Sequence, residues 1–340
     1  MNTSAPILLS IVIKTLNEEG KIARAIESAL GVEAIIGNPV EVIVADSVST
    51  DRTIDIARSY PVEIVQFANP DERGCGAGVE LGFQHSTGEL IYFLDGDMVL
   101  DADFILDAVA LLNREPSLAG VGGAIEDTQV LNSVDRIRVN NKSVATAGNC
   151  RWLEGGGLYR RCAIFDAGGY AADRNLKGYE EADLGMRLRA AGWRLQRLPQ
   201  RAASHTGHAA GTLQLLRRHW HTRRAMSGGV LLRQALGKPW LGEACRMLVH
   251  PIAVAAWWAL LPLAALSFVT LAAWGGGGVL ACLLLALRKR DPRHVAVSVF
   301  SWHYAAVATI IGLFARTASV SGPISANVLS GSPSPMTGVA

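Results

Sequence analysis

The sequence predicts an α/β fold, a mostly parallel sheet wound on both faces by helices, followed by an α-helical membrane region. Three observations carry this. Strand-like and helix-like segments alternate four times within about 110 residues, the pattern of βαβ units. Short runs rich in Ile, Val and Leu, such as 7–13 and 90–94, read as strands buried on both faces. Residues 248–287 then hold no charged side chain.

The bulk numbers narrow the function classes. A chain of 340 residues has room for one large domain with an appendage, or for two domains. Its net charge of +2 gives no electrostatic case for nucleic-acid binding. Half of the residues are hydrophobic, and the excess lies toward the C-terminus. The five cysteines (Cys75, Cys150, Cys162, Cys245, Cys282) form no C-x-x-C pair. That argues against a disulfide framework or a zinc site, and for reduced thiols in the cytosol.

The elements follow in order. Residues 7–13 read as a first strand rather than a signal peptide, because the nearest basic residue, Lys14, comes after the apolar run. Residues 14–20 are a polar loop. Ile22, Ala25, Ile26, Ala29 and Leu30 then fall at helical spacing over 21–30. Residues 41–45 form a second strand ending at Asp46. Thr50 or Asp51 caps a helix running to about Ser59. Residues 63–67 are a third strand, and the glycine-rich 74–78 opens a helix to about His85. Strand 90–94 ends abruptly in Asp95-Gly96-Asp97, and helix 103–113 follows. Further strands fall at 119–125 and 194–198, with weak periodicity over 127–150.

Polar loops thus follow three strands, at 15–19, 46–51 and 95–97. All lie on one edge of such a sheet and converge on one crevice, where a nucleotide is the natural occupant. No G-x-G-x-x-G follows the first strand and no Walker A sequence is present, so neither a nicotinamide cofactor nor a P-loop is indicated. Asp95 and Asp97, with Gly96 between them to let the backbone turn, suit a hard cation such as Mg²⁺ or Mn²⁺.

These motifs, in this order, resemble the inverting GT-A glycosyltransferases of family 2: 10–19 (SIVIKTLNEE), 44–51 (VADSVSTD) and 95–97 (DGD). The resemblance spans about residues 7–200. It implies that Thr15, Asn17, Glu18, Asp46 and Ser47 hold a nucleotide sugar, with Asp46 similar to the residue that pairs with the base. Asp95 would meet the ribose, and Asp95 and Asp97 the diphosphate-bound metal. A histidine after the last strand can complete that metal site, and His205 and His208 are both candidates. At 74–76, backbone N–H groups including that of Gly76 could face a phosphate, or the stretch could be a plain helix start. Relatives often carry Lys or Arg there; here the nearest is Arg73.

The second half carries the acceptor-side chemistry the resemblance implies. Residues 154–161 resemble the stretch beneath the acceptor sugar, and 127–150 are expected to be mobile or to cover the acceptor. Inverting transfer to a hydroxyl needs a base that takes its proton. Relatives place an acidic cluster at the position of Glu180-Glu181-Ala182-Asp183. By position the base is Glu181, with Glu180 and Asp183 orienting it or binding the acceptor. The choice between Glu180 and Glu181 stays open. Processive relatives carry Q-x-x-R-W. Here Gln214 and Arg217 keep the spacing, but Arg218 stands where Trp belongs, so processive synthesis is not indicated.

Four regions follow: a catalytic domain at 1–210, a basic amphipathic interfacial segment at 211–247, about three membrane helices at 248–316, and a disordered Ser/Gly/Pro-rich tail at 317–340. The uncharged stretch at 248–287 suits two crossings of roughly 20 residues each. The basic loop at 288–294 stays cytoplasmic, residues 295–315 form a third span, and the tail falls outside. The expected protein is an inner-membrane, multi-pass glycosyltransferase with a cytoplasmic catalytic domain. It would move a hexose from a nucleotide sugar to a lipid-linked or glycan acceptor, using Mg²⁺ or Mn²⁺ and touching membrane lipids but no nucleic acid. A sugar nucleotidyltransferase and a non-catalytic membrane subunit are the alternatives.

Overall fold

The computed structural model describes residues 8–128, 147–206 and 212–329. Their chain divides into two compact units, one from 1–218 together with 317–340, the other from 219–316.

The first unit is built on β1 (Leu9–Thr15), α1 (Ile22–Ile36), β2 (Val40–Asp46), α2 (Thr53–Ala57), β3 (Glu63–Phe67), α3 (Cys75–His85) and β4 (Leu90–Asp95). β5 (Met98–Leu100), α4 (Ala102–Arg114), β6 (Leu118–Asp127), β7 (Gly148–Cys150), β8 (Leu158–Arg160), α5 (Arg161–Asp166), α6 (Glu180–Ala190) and β9 (Arg194–His205) complete the globular part. The strands run β3-β2-β1-β4-β8-β6-β9-β5 across the sheet. Strands β3, β2, β1 and β4 are mutually parallel. The other side is mixed, because β8 joins β4 and β6 in antiparallel sense while β6 and β9 are parallel.

The period-2 side-chain alternation of a strand sets the two cores. Leu9, Ile11 and Ile13 of β1, with Leu90, Tyr92 and Leu94 of β4, face the layer formed by α1, α2 and α4. Val12, Ile91 and Phe93 face the other way, toward α3, α5 and α6. Burial on both faces is why these strands read as unbroken apolar runs. The parallel order places the C-terminal ends of β1, β2 and β4 side by side, with Thr15 paired with Asp46 and Lys14 with Asp95.

The described tail departs from the expectation of disorder. A strand β10 (Ala326–Val328) pairs antiparallel with β3 at the edge of the sheet. Asn175 and Ala318 exchange two hydrogen bonds, of 3.0 and 2.8 Å. Gln84 Oε1 accepts from Ile324 N at 2.9 Å, and Ile324 is buried in the α3-side core. The polar composition of this stretch hid an edge strand, whose outer side chains stay in water.

The second unit contains α8 (Ser227–Ala235), which follows α7 (Thr212–His221) at the unit boundary, then α9 (Leu241–Met247), α10 (Val249–Ala259), α11 (Leu261–Ala264), α12 (Phe268–Lys289) and α13 (Pro292–Leu313). Two of these helices, α12 and α13, are long and apolar enough to cross a membrane. A third span exists only if Leu241–Met247 and Val249–Ala264, bent by 85°, count as one. The stretch expected to supply two spans before residue 288 therefore holds one full-length helix and one broken one. Within this unit α13 lies close to α8 because both meet at glycine. A Cβ at Gly229 would lie 2.0 Å from Thr309 O, and one at Gly312 would lie 2.0 Å from Met226 O.

Candidate active site

The strand ends of β1 and β4, the turn after β4, the end of β9 and the first turn of α6 supply two groups of charged side chains, the first around the end of β1. At its centre is Lys14, the penultimate residue of β1. Its Nζ lies 3.0 Å from Asp95 Oδ1 and 3.4 Å from Glu180 Oε1. Burial alone would lower the Lys14 pKa, but Asp95 and then Glu180 hold it well above the usual lysine value. Lys14 is therefore a fixed cation between two carboxylates.

Glu181 sits beside them. Its Oε1 accepts from Gly155 N at 2.8 Å. That contact depends on glycines: Gly155 has φ +67 and Gly156 φ +108, and a Cβ on Gly156 would lie 2.4 Å from Phe93 O. The Glu181 carboxyl is pushed up to about 7, first by removal from water and next by the charge of Glu180. Glu181, Glu180, Lys14, Asp95, Tyr159 and Gly156 line one small cavity of about 30 Å³, room for about one water. A carboxyl poised near neutrality beside a fixed cation is suited to taking a proton from a bound hydroxyl.

The second group lies on the other side of the Asp95-Gly96-Asp97 turn. Asp97 Oδ2 is 3.2 Å from His205 Nε2 and 3.9 Å from Lys21 Nζ. His205 Nδ1 lies 2.7 Å from Asp127 Oδ1. Lys21 also meets Glu18 at 3.2 Å. Burial, then Asp97, raises the Glu18 pKa. Among the described residues no cluster of three or more His, Cys, Asp or Glu side chains is arranged to hold an ion by itself. A donor-bound Mg²⁺ or Mn²⁺ needs only one or two protein ligands, the rest being phosphate oxygens and water. Asp97 Oδ2 and His205 Nε2 supply such a pair, so the residues present fit the ion in that form. Asp95 turns its Oδ1 to Lys14 instead.

The residues expected to hold the nucleotide are locked to one another. Asp46 is fully buried and accepts from Ser49 N at 2.9 Å, Ser49 Oγ at 2.5 Å and Gln66 Nε2 at 2.8 Å. Ser47 N donates to Thr15 O. Asn17 clamps the two loops: its N donates to Ser49 Oγ and its Oδ1 accepts from Thr50 N. Asn17 and Val48 both take left-handed backbone, at φ +57 and +61. For a β-branched valine that conformation costs of order 1–3 kcal/mol and persists only where neighbours fix it. Thr15 Oγ1 is buried with no hydrogen-bond partner among the described residues, against Gly96, where a Cβ would lie 2.8 Å away.

Two expected positions land elsewhere. Asp183 does not line the cavity. Its Oδ2 accepts from Arg187 Nε at 2.8 Å, and both side chains are almost fully buried. Arg187 also donates to the carbonyls of Ala167, Tyr170 and Ala171, so this pair holds the 167–171 turn rather than an acceptor. Gly76 does not present a free N–H either. Its N donates to Leu176 O at 2.9 Å, and a Cβ would lie 2.3 Å from Asp173 O. The glycine serves close packing of α3 on the 173–176 loop. His208 and residues 129–146 of the expected covering segment lie outside the described residues.

Sequence reasoning missed Lys14, Lys21, Gln66 and Asp127. Lys14 and Lys21 flank the first loop, and a lysine ending a buried strand is itself a signal, since a buried cation needs acidic partners. Asp127 ends β6 in a stretch without clear periodicity, and nothing in the chain pointed to its pairing with β9.

Residues 10–167 match the model for glycosyl transferase family 2. A hexosyltransferase of low-salt glycan biosynthesis, Agl6 of Haloferax volcanii, is 42% identical over 96 residues, 27% of this chain and 22% of that protein. A dolichyl N-acetyl-α-D-glucosaminyl phosphate 3-β-D-2,3-diacetamido-2,3-dideoxy-β-D-glucuronosyltransferase of Methanococcus voltae is 23% identical over 165 residues, 46% of this chain and 51% of that one. The chain thus spans about half or less of the length of these relatives. Among solved structures, the mannosyltransferase PcManGT of Pyrobaculum calidifontis, in complex with GDP-Man and Mn²⁺, superposes with a TM-score of 0.56 at 21% identity. That match covers 92% of this chain and 90% of PcManGT, and so establishes a shared fold.

Proposed function

On the match of residues 10–167 to the model for glycosyl transferase family 2, we propose that the protein moves a hexose from a nucleoside-diphosphate sugar to a hydroxyl of a lipid-linked or glycan acceptor, with inversion. The observation that carries this reading is the convergence of two groups on one turn: Lys14, Asp95, Glu180 and Glu181 on one side, Asp97, His205 and Asp127 on the other.

Each residue then has a task. Asp46, held by Ser49 and Gln66, fixes the loop against which the base would lie. Thr15 Oγ1 offers an unused hydroxyl beside the turn. Asp97 and His205 would hold a divalent cation, which would supply positive charge against the departing diphosphate. Lys14 adds a fixed positive charge at Asp95. Glu181 takes the acceptor proton as the new bond forms, held in place by Gly155 N–H. Glu180, tied to Lys14, tunes Glu181 through its charge.

Attachment through α12 and α13 fits an acceptor held in a bilayer, with the catalytic unit on the cytosolic face of the inner membrane where sugar nucleotides are made. The test is direct. Membranes containing the full chain are incubated with UDP-, GDP- and dTDP-sugars and Mn²⁺ or Mg²⁺, and released nucleoside diphosphate is measured. Metal-dependent release with one donor class supports the reading, and release that survives Asp97→Ala overturns it.

A further inference from the structure

We infer that the chain crosses the bilayer twice, outward through α12 and back through α13, and that its C-terminal tail returns to the face on which the catalytic unit stands. The inference rests on the proposed membrane attachment and goes beyond it.

Parity sets the number of crossings. The sheet that carries the site is continuous from β10 through β3, β2 and β1 to β4. β10 is not a marginal contact. Ala326, Asn327 and Val328 pair with Phe67, Gln66 and Val65. Beyond the strand, Ala68 N donates to Ser325 O and Leu329 N to Ile64 O. Ile324 is buried, and Arg174 Nη1 donates to the carbonyls of Gly322 and Pro323 at 3.3 and 3.2 Å. A strand cannot add to a sheet from across a hydrocarbon layer, because its backbone groups would have to be satisfied on the far side. The chain therefore leaves the catalytic unit and rejoins it on one face, and the crossings between must be even in number.

Three stretches compete for two crossings. α12 and α13 each have 22 residues, about 33 Å at ~1.5 Å per residue, against a hydrocarbon core of about 30 Å. The third, Leu241–Met247 with Val249–Ala264, bends by 85°. Its longer straight part covers only about 24 Å at the same rise, short of a crossing. Parity removes one stretch, and this is the one that length removes. It lies in or dips into the face it enters. Two crossings place the 288–294 turn on the face opposite the catalytic unit, unlike the expectation that the two share a face.

The experiment uses sealed membrane vesicles containing the full chain. Epitope tags are placed at the N-terminus, at the C-terminus, and between Arg290 and Asp291, one per protein, and protease access is scored from each face. The N- and C-terminal tags are expected to be cut from the same face and the turn tag from the opposite one. Strand pairing is checked in the same membranes with the double variant Gln66→Cys/Asn327→Cys, which should form an oxidant-dependent intramolecular cross-link absent from either single variant. Opposed N- and C-terminal tags, a turn tag on the face of both termini, or no cross-link would each overturn the inference. Extraction of the chain by alkaline carbonate would sink the membrane reading as well, whereas an embedded chain with opposed termini would sink this inference alone.

Discussion

Asp127 Oδ1 lies 2.7 Å from His205 Nδ1, while the other ring nitrogen of His205 faces Asp97 at 3.2 Å. The Asp127 carboxylate orients the ring through Nδ1 and turns Nε2 toward Asp97, the nitrogen through which the ring would coordinate a metal ion. Removing the acceptor's charge in Asp127→Asn should weaken Mn²⁺ binding by about 10–100-fold, the usual cost of losing such a partner. Titration of Mn²⁺ in the presence of nucleoside diphosphate, followed by its paramagnetic signal, measures this without turnover. Unchanged affinity would remove Asp127 from the site.

Glu181→Gln keeps the hydrogen bond from Gly155 but cannot accept a proton. Turnover should fall by about 10²–10⁴, the span expected for a general base, with donor affinity preserved. Glu180→Gln should keep most of the turnover. If the two variants lose activity in the reverse order, the assignment of roles is wrong.

The pH dependence follows from the same pair. Glu181 titrates near 7 and acts as a base only when deprotonated, so kcat/KM should rise through about pH 7 to a plateau above it. Glu180 raises that value by its charge, so Glu180→Gln should carry the rising limb to lower pH. A limb that moves upward, or does not move, contradicts the electrostatic account.

Stability has its own sign. Glu80 and Glu181 are both pushed by burial from the ordinary 4.5 to about 7. A folded carboxyl that holds its proton more tightly than the unfolded chain favours the fold at low pH. Their contribution is fully present below about 4.5 and is lost as pH rises through about 7. Glu80→Gln and Glu181→Gln should therefore flatten the fall in chemical-denaturation midpoint between those limits.

Arg187→Met leaves Asp183 charged and buried, and strips three carbonyls of their donor. Breaking a buried pair on one side costs about 3–5 kcal/mol. The loss should appear as a lower urea midpoint, with the pH profile of residual activity unchanged. An altered profile would return Asp183 to the reaction.

The parallel half of the sheet was legible because strands buried on both faces read as apolar runs, and because Asp46, Asp95 and Asp97 mark their ends. The mixed half was not. β5 and β8 are three residues long, below the length at which alternation can be seen. The acidic run at 180–183 gave up one of its members for a physical reason: Asp183 and Arg187 are four apart on a helix and meet as neighbours. That spacing was in the sequence, and it outweighed the chemical reading of the acid. Asp127 and Lys14 act across strands distant in sequence, where no local pattern signals a partner.

The short β10 has one more consequence. β3 is the outermost of the parallel strands, and β10 occupies its outer row of N–H and C=O groups. Stripped of that cover, β3 would offer a bare template to any neighbouring chain. A protein ending before residue 317 should self-associate through this margin even with the residues of the candidate site intact, so this short edge strand doubles as a guard against clumping.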